Sequence, residues 1–368
     1  MCILYVINGF VPGVAAHGLL TLIEGGFFDG HELAVLGLCH GRGGACRRGR
    51  GAPSAGKAAI GHGPGGAVSW RGGQGRACPH QVAARPPARS GVLSLKQANA
   101  VGRFVLIFFP GVRCISFEHI SRYRARRAEG LYQYLLRLLS FRVDEVWADC
   151  NQTLIDTRRY FSSRRRREHV VPLFAADPDC PAKTDYAARR PLRLVAAGRL
   201  IPRKNFTLLI DTVARLKGSL DVTLDIFGEG GERQRLAAQI DRLGLGETVH
   251  LRGSAARWFA REEVVGADIF VNLSDTEGFC ITVAEAMAAG LPVIATDVGG
   301  IRDYGLDGGN MLKLAAPEGA ALEAALMGLA DDEALRRRLG ESARANMMSE
   351  YGPRSLRRWA REALAGGS

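Results

Sequence analysis

The chain has no long hydrophobic run. Its best apolar stretch, Phe104 to Pro110 (FVLIFFP), is strand-sized and far short of the ~18 residues that cross a bilayer. Its eight cysteines lie apart at positions 2, 39, 46, 78, 114, 150, 180 and 280, with no CxxC pair. That spacing excludes the usual zinc and dithiol motifs and suits buried, reduced thiols. Met1 is followed directly by CILYVI, without a basic stretch, so no secretory leader is expected. Together these absences point to a cytosolic protein. Acidic residues are missing altogether from residues 41–92, which hold nine Lys/Arg and 14 Gly.

What remains is ordinary in bulk. The 368 residues are 47% hydrophobic and 23% charged, so the chain folds, and its length suits two domains. The net charge of +12 is concentrated. Residues 41–92 carry much of it, and residues 121–170 hold twelve Arg against six acids. Neither block contains a nucleic-acid-binding module, so nucleic acid is not expected as a partner.

Residues 2–8 (CILYVIN) read as a buried strand. Leu19, Leu20, Leu22 and Ile23 follow at helical spacing, and GHELAVLGL is a second strand. This opening suits a doubly wound sheet. The pattern then stops over 41–92, which shows no sustained period. Two readings stay open for it: a disordered basic insertion, or sequence read out of frame in GC-rich coding DNA. Order is expected to resume near Val92. SLKQANAVGRFVLIFF suggests a helix leading to a strand, and VRCISFE a strand ending at His119. Residues 121–141 form a basic amphipathic helix with Leu131, Leu135, Leu138 and Leu139 on one face. Asn151 is expected to cap a helix running to Phe161. The second half alternates regularly: strands at 192–198, 222–228, 249–253, 269–274 and 292–297, with helices at 204–217, 231–243, 256–266 and 280–290 between them. Three more helices follow, the last at 354–365. The expected class is α/β, a parallel sheet in each of two domains.

Two motifs carry chemistry. Glu277-Gly-Phe-Cys-Ile-Thr-Val-Ala-Glu285 follows a strand and opens a helix. Backbone N–H groups at such a start bind anions, and ligands of open α/β sheets lie at strand carboxyl ends. Ionised Glu277 and Glu285 only accept hydrogen bonds, which suits sugar hydroxyls. The second motif, Gly198-Arg199-Leu-Ile-Pro-Arg203-Lys204-Asn205, places a forked and a compact cation after another strand. Hydroxyl-accepting carboxylates beside a phosphate-neutralising pair describe a sugar-nucleotide site. The plainer alternative is a set of solvated charges before helices. GHGPGG (61–66) has the G-x-G-x-x-G form but no strand before it, which argues against hydride transfer. Asp225 and Asp268 stand alone beside strands and read as structural.

In this order and spacing the motifs resemble the retaining nucleotide-sugar glycosyltransferases of family 4, the "glycosyl transferases group 1" type with a GT-B fold. The resemblance is strong over 190–368, moderate over 1–40 and 92–175, and absent over 41–92. It implies two Rossmann-like domains facing a central cleft: an N-terminal acceptor-side domain (1–175), incomplete where 41–92 interrupts it, a linker (176–190), a donor domain (191–350) and a C-terminal crossover helix (351–368). It implies Arg199 and Lys204 on the donor phosphates, Glu277 on the transferred sugar and Glu285 on the ribose. Gly198, Gly228, Gly278, Phe279, Cys280 and Ile281 complete the donor site. His119 would face the transferred sugar, and Gly13 lies in an acceptor-side loop. The nucleotide-diphosphate sugar is a co-substrate, with no separate cofactor. No metal is expected, since no Asp-x-Asp pair stands in a suitable place. The acceptor would be a glycan or a lipid-linked glycan of the cell envelope. The basic helix 121–141 and Arg164 to Arg167 could dock on the anionic inner face of a membrane, or simply be solvated. Two other functions compete. One is a catalytically impaired homologue that still binds nucleotide sugar; the other is an epimerase or phosphorylase of the same architecture.

Overall fold

The computed structural model describes residues 2–8, 14–38, 67–71, 89–119, 127–158, 161, 166–187, 190–254 and 262–364. They fall into two compact units, Met1–Leu173 with Leu356–Ser368, and Phe174–Ser355. Each is built on its own sheet.

The first unit holds β1 (Cys2–Ile7), α1 (Val14–Glu24), β2 (Glu32–Gly37), β3 (Ala67–Arg71), β4 (Ser90–Ser94), α2 (Lys96–Val105), β5 (Arg113–Glu118), α3 (Arg127–Leu138), β6 (Glu145–Ala148), α4 (Asn151–Thr157) and β7 (Arg167–Val170). The sheet order is β3-β2-β1-β4-β5-β6-β7. Only β3, at the edge, runs antiparallel. Ile3, Tyr5, Val92, Ile115, Phe117 and Trp147 are fully buried in it.

Four details differ from the sequence expectations. Residues 67–71, inside the acid-free segment, pair with β2, because AVSWR is β-branched and aromatic enough to extend an existing edge. FVLIFF is not a strand: Phe104 and Val105 end α2, and Leu106–Phe108 is a 3-10 turn. A short apolar run carries no period that separates the two cases. In α3 Leu136 is buried while Leu135 and Leu138 are exposed, and the side chain of Leu131 lies outside the described residues. Leu139 is buried, but it already belongs to the 3-10 turn Leu139–Arg142, which breaks the helical face. Finally, Cys150 rather than Asn151 caps α4, its Sγ accepting from Thr153 N at 3.4 Å.

The second unit runs β8 (Leu192–Ala197), α5 (Phe206–Leu216), β9 (Val222–Phe227), α6 (Arg233–Arg242), β10 (Val249–Gly253), α7 (Glu262–Val265), β11 (Ile269–Asn272), α8 (Ile281–Ala288), β12 (Val293–Thr296), α9 (Ile301–Tyr304), β13 (Leu312–Leu314), α10 (Gly319–Asp331) and α11 (Glu333–Glu350). The sheet is wholly parallel, in the order β10-β9-β8-β11-β12-β13. Its aliphatic core joins β8, β9 and β11 to α5, α6 and α10. Residues 176–187 pack onto this unit, Lys183 N donating to Ala289 O and Ala176 N to Tyr351 O. Asp225 takes Arg252 at 2.6 Å, and Asp268 accepts from Arg193 N at 2.9 Å, so both are structural. The last helix, α12 (Pro353–Leu364), joins the first unit from Leu356 onward. Arg113 reaches its Ala363 carbonyl. Among the described residues no helix is long and apolar enough to cross a membrane.

Candidate active site

The strand order of the second sheet reverses between β8 and β11. Ligands of open α/β sheets bind outside the strand carboxyl ends at such a reversal. The two motifs are the loops after these two strands.

After β8, Gly198 lies at φ +155°, and a Cβ there would meet the Lys204 side chain at 3.2 Å. Gly228, the turn after β9, packs even closer: its Cβ would lie 1.8 Å from the Gly198 carbonyl oxygen. Gly228 thus lets two neighbouring turns touch. Arg199 is exposed. Pro202–Lys204 forms a 3-10 turn, and Asn205 follows in the left-handed region at φ 54°. Asn205 Nδ2 donates to Leu273 O at 2.8 Å and to Asp275 Oδ1 at 2.7 Å, while Asp275 N donates to Arg203 O at 2.9 Å. These bonds fasten the first loop to the second.

The join is completed by Lys204 Nζ donating to Glu277 Oε1 at 2.5 Å, both side chains about nine-tenths buried. Burial disfavours either charge, but each partner stabilises the other. Burial alone would raise the Glu277 carboxyl; the Lys204 charge outweighs it and holds the carboxyl below its usual value. Burial likewise opposes the Lys204 charge, and Glu277 overcomes it, leaving the ammonium above its usual value.

The loop from Glu277 to Cys280 is clamped from behind. Gly300 N donates to Gly278 O at 2.6 Å, and a Cβ on Gly299 would lie 2.3 Å from Glu277 O. The Phe279 ring points inward, 1% exposed, between Phe174, Tyr304 and Tyr351. Only its backbone is left to face a ligand. Tyr304 OH donates to the carbonyls of Phe279 and Cys280 at 3.1 and 3.2 Å. Cys280 sits at φ 62° just before α8. Burial pushes its thiol up to about 12. Ile281 begins α8, and Glu285 lies one turn further on, 5% exposed.

His119 belongs to the first unit, at the carboxyl end of β5. Its Nε2 shares a 2.7 Å hydrogen bond with the Ser94 hydroxyl at the end of β4, and its ring lies 4.2 Å from that of Phe117. Burial lowers its pKa to about 3, so the imidazole is neutral near pH 7. Gly13 lies outside the described residues. The structure therefore gathers Gly198, Lys204, Gly228, Glu277, Gly278, Phe279, Cys280, Ile281 and Glu285 around the ends of β8, β9 and β11, and leaves His119 in the other unit. Sequence reasoning placed Asn205 at the end of its second motif without seeing it as the bolt between the loops, and it missed Ser94. An Asn after a cationic turn is a left-handed signal that could have revealed the first. Among the described residues no three His, Cys, Asp or Glu are grouped to hold a metal ion.

Comparison with known proteins fits this geometry. Residues 187–346 match the family model "Glycosyl transferases group 1". The lipopolysaccharide core biosynthesis glycosyltransferase LpsE of Rhizobium meliloti is 31% identical over 172 residues, 46% of this chain and 48% of that one. A GDP-mannose-dependent alpha-mannosyltransferase of Mycolicibacterium smegmatis is 36% identical over 158 residues, 42% of this chain and 38% of that one. The matching part thus spans less than half the length of these curated relatives. The solved structure of Anabaena Alr3699/HepE with UDP-glucose superposes with a TM-score of 0.71 at 18% identity, covering 99% of each chain.

Proposed function

Through residues 187–346 the chain belongs to the glycosyl transferases group 1 family, and on that premise we propose that it is a retaining, metal-independent glycosyltransferase acting on a hexosyl nucleotide-diphosphate donor. The observation that carries this reading is the Lys204–Glu277 contact. It brings the cationic loop after β8 and the acidic loop after β11 together at the strand-order reversal.

The chemistry follows from the charges. Lys204 is kept protonated and Glu277 ionised, so the site holds a cation for a diphosphate and an acceptor for sugar hydroxyls. A bound diphosphate would share Lys204 with Glu277. Arg199, exposed beside it, would add a forked contact. The N–H groups at the start of α8 would face the same anion, and Glu285 would take the ribose. Negative charge grows on the leaving diphosphate as the glycosidic bond breaks, and the preorganised cations stabilise that change. Retention would come from front-face attack. The leaving phosphate oxygen helps take the acceptor hydroxyl's proton, so the protein positions the reactants and supplies no nucleophile. A neutral His119 would hydrogen-bond the transferred sugar rather than carry charge. The names of relatives in lipopolysaccharide core biosynthesis and phosphatidylinositol N-acetylglucosaminyl transfer support a glycan or lipid-linked acceptor.

The test is a screen of UDP-, GDP- and ADP-sugars against glycan acceptors with mass detection of product. One donor should be consumed, with Lys204→Met lowering turnover more than donor affinity and Glu285→Ala weakening nucleotide binding. Unchanged kinetics in both variants would overturn the residue roles. The acid-free composition of 41–92 favours one second reading, an impaired nucleotide-sugar-binding homologue. Binding without turnover on any acceptor would establish it.

A further inference from the structure

In sheet order the loop after β11 is flanked by the loops after β8 and β12. One neighbour is the cationic loop, tied on by Lys204 to Glu277 and by Asn205 to Leu273 O and Asp275. The other runs into α9 and takes main-chain carbonyls. Gly300 N donates to Gly278 O at 2.6 Å. The Tyr304 hydroxyl shares its one hydrogen between Phe279 O and Cys280 O, at 3.1 and 3.2 Å. Three successive carbonyls are thus held on the β12 side.

A trans peptide points its N–H opposite to its C=O. Holding the Phe279 and Cys280 carbonyls on one side therefore turns the N–H groups of Cys280 and Ile281 to the other, the side of the β8 loop that carries Lys204. Successive N–H groups turned the same way at a helix start suit an anion. Tyr304 is itself fixed. Asn310 Nδ2 donates to the Tyr304 carbonyl at 2.9 Å, and Asn310 Oδ1 accepts from Leu306 N at 2.7 Å. The Tyr304 ring is 4% exposed and lies 5.2 Å from the Phe279 ring. A phenylalanine ring would fill the same space. What the hydroxyl adds is its hold on two carbonyls of the loop.

We propose that Tyr304 is a positioning residue for the donor. Its hydroxyl fixes the peptide planes after Phe279 and Cys280, so that the N–H groups of Cys280 and Ile281 meet the diphosphate at the phosphate next to the transferred sugar. This role rests on the donor site proposed above, in which Glu277 takes the transferred sugar, Lys204 the diphosphate and Glu285 the ribose. Glu277 and Lys204 adjoin the loop, whereas Glu285 lies a turn along α8. The sugar-side phosphate is therefore the one nearer these N–H groups. Without the hydroxyl the planes are free to rotate and to set a carbonyl dipole against the anion.

Calorimetric titration of the full chain with UDP, GDP and ADP and with the matching monophosphates tests this, in wild type and in Tyr304→Phe. Wild type should bind one of the diphosphates. The variant should bind that diphosphate about tenfold more weakly, and its monophosphate within about twofold of wild type. The thermal midpoint should fall by no more than about 4 °C, since one neutral hydrogen bond is lost and the ring stays. Amide hydrogen exchange at Cys280 and Ile281 should slow when the diphosphate binds wild type, and slow less in the variant. Equal diphosphate affinity in the two proteins would overturn the role. So would an equal loss for diphosphate and monophosphate, or no added protection of those two amides in wild type. A wild type that binds none of the nucleotides overturns the donor site and this role with it. A wild type that binds while the variant binds equally overturns the role alone, so the two failures are distinguishable.

Discussion

At the scale of single residues the site rests on a buried ion pair. Removing one partner of such a pair leaves the other charged and dry, which costs about 3–5 kcal/mol. Lys204→Met should therefore lower stability by that order, and adding Glu277→Gln should recover most of it without restoring turnover; urea unfolding of the three variants checks this. The pH dependence has a fixed sign. Glu277 titrates below its ordinary value of 4.5, so its contribution is present above 4.5 and is lost as pH falls through its lowered folded-state value. Lys204 titrates above 10.5, so its contribution is present below 10.5 and is lost as pH rises through its raised value. His119 behaves differently. Its folded pKa of about 3 lies below the ordinary 6.5, so acidification protonates the unfolded chain first. Between those values the fold loses up to about 1.4 kcal/mol per pH unit through this one group. His119→Asn should make the thermal midpoint less steep between pH 6 and 4; an unchanged slope would show that the histidine is not buried neutral.

At the scale of elements the turns decide the geometry. Gly228→Ala puts a Cβ against the Gly198 carbonyl at a positive φ. It should destabilise by on the order of 3 kcal/mol, read as a fall in the thermal midpoint, and should impair donor binding by displacing Lys204's loop. Cys280 holds a left-handed φ of 62° before α8. Cys280→Gly should be tolerated within about 1 kcal/mol, while Cys280→Val, β-branched in that region, should cost about 2 kcal/mol or more. Comparable midpoints for the two would contradict the strained assignment. These elements also show what a sequence reveals. The strands of the second unit were legible because each apolar run is bounded by glycine or a charged turn and separated by helical spacing. The two motifs were legible because they follow such strands. FVLIFF was misread because six apolar residues have no distinguishing period. β13 and α9, three and four residues long, are too short to leave one. The cap of α4 was misplaced because Cys150 is a rare acceptor, whereas Asn151 is a common one. The Lys204–Glu277 contact joins residues 73 apart in sequence, and no local pattern reports it.

At the scale of the whole molecule the two units differ. The second carries the proposed nucleotide-sugar site, built from conventional α/β parts. The first carries a neutral histidine at its strand ends and exposed phenylalanines at the end of α2 and in the turn after it. Part of the positive charge is internal: Arg103, Arg142 and Arg166 all spend guanidinium hydrogen bonds on main-chain carbonyls. The basic composition therefore overstated the solvated charge, and the exposed phenylalanines, read as a strand, were the stronger surface signal. The central claim is that Lys204, the start of α8 and Glu285 form one nucleotide-diphosphate site. Calorimetric titration of UDP, GDP and ADP into wild type and into Lys204→Met tests it most directly. One nucleoside diphosphate should bind wild type and bind the variant about tenfold or more weakly, as loss of a charge-assisted phosphate contact requires. Equal affinity for both proteins, or no binding of any of the three to wild type, would contradict it.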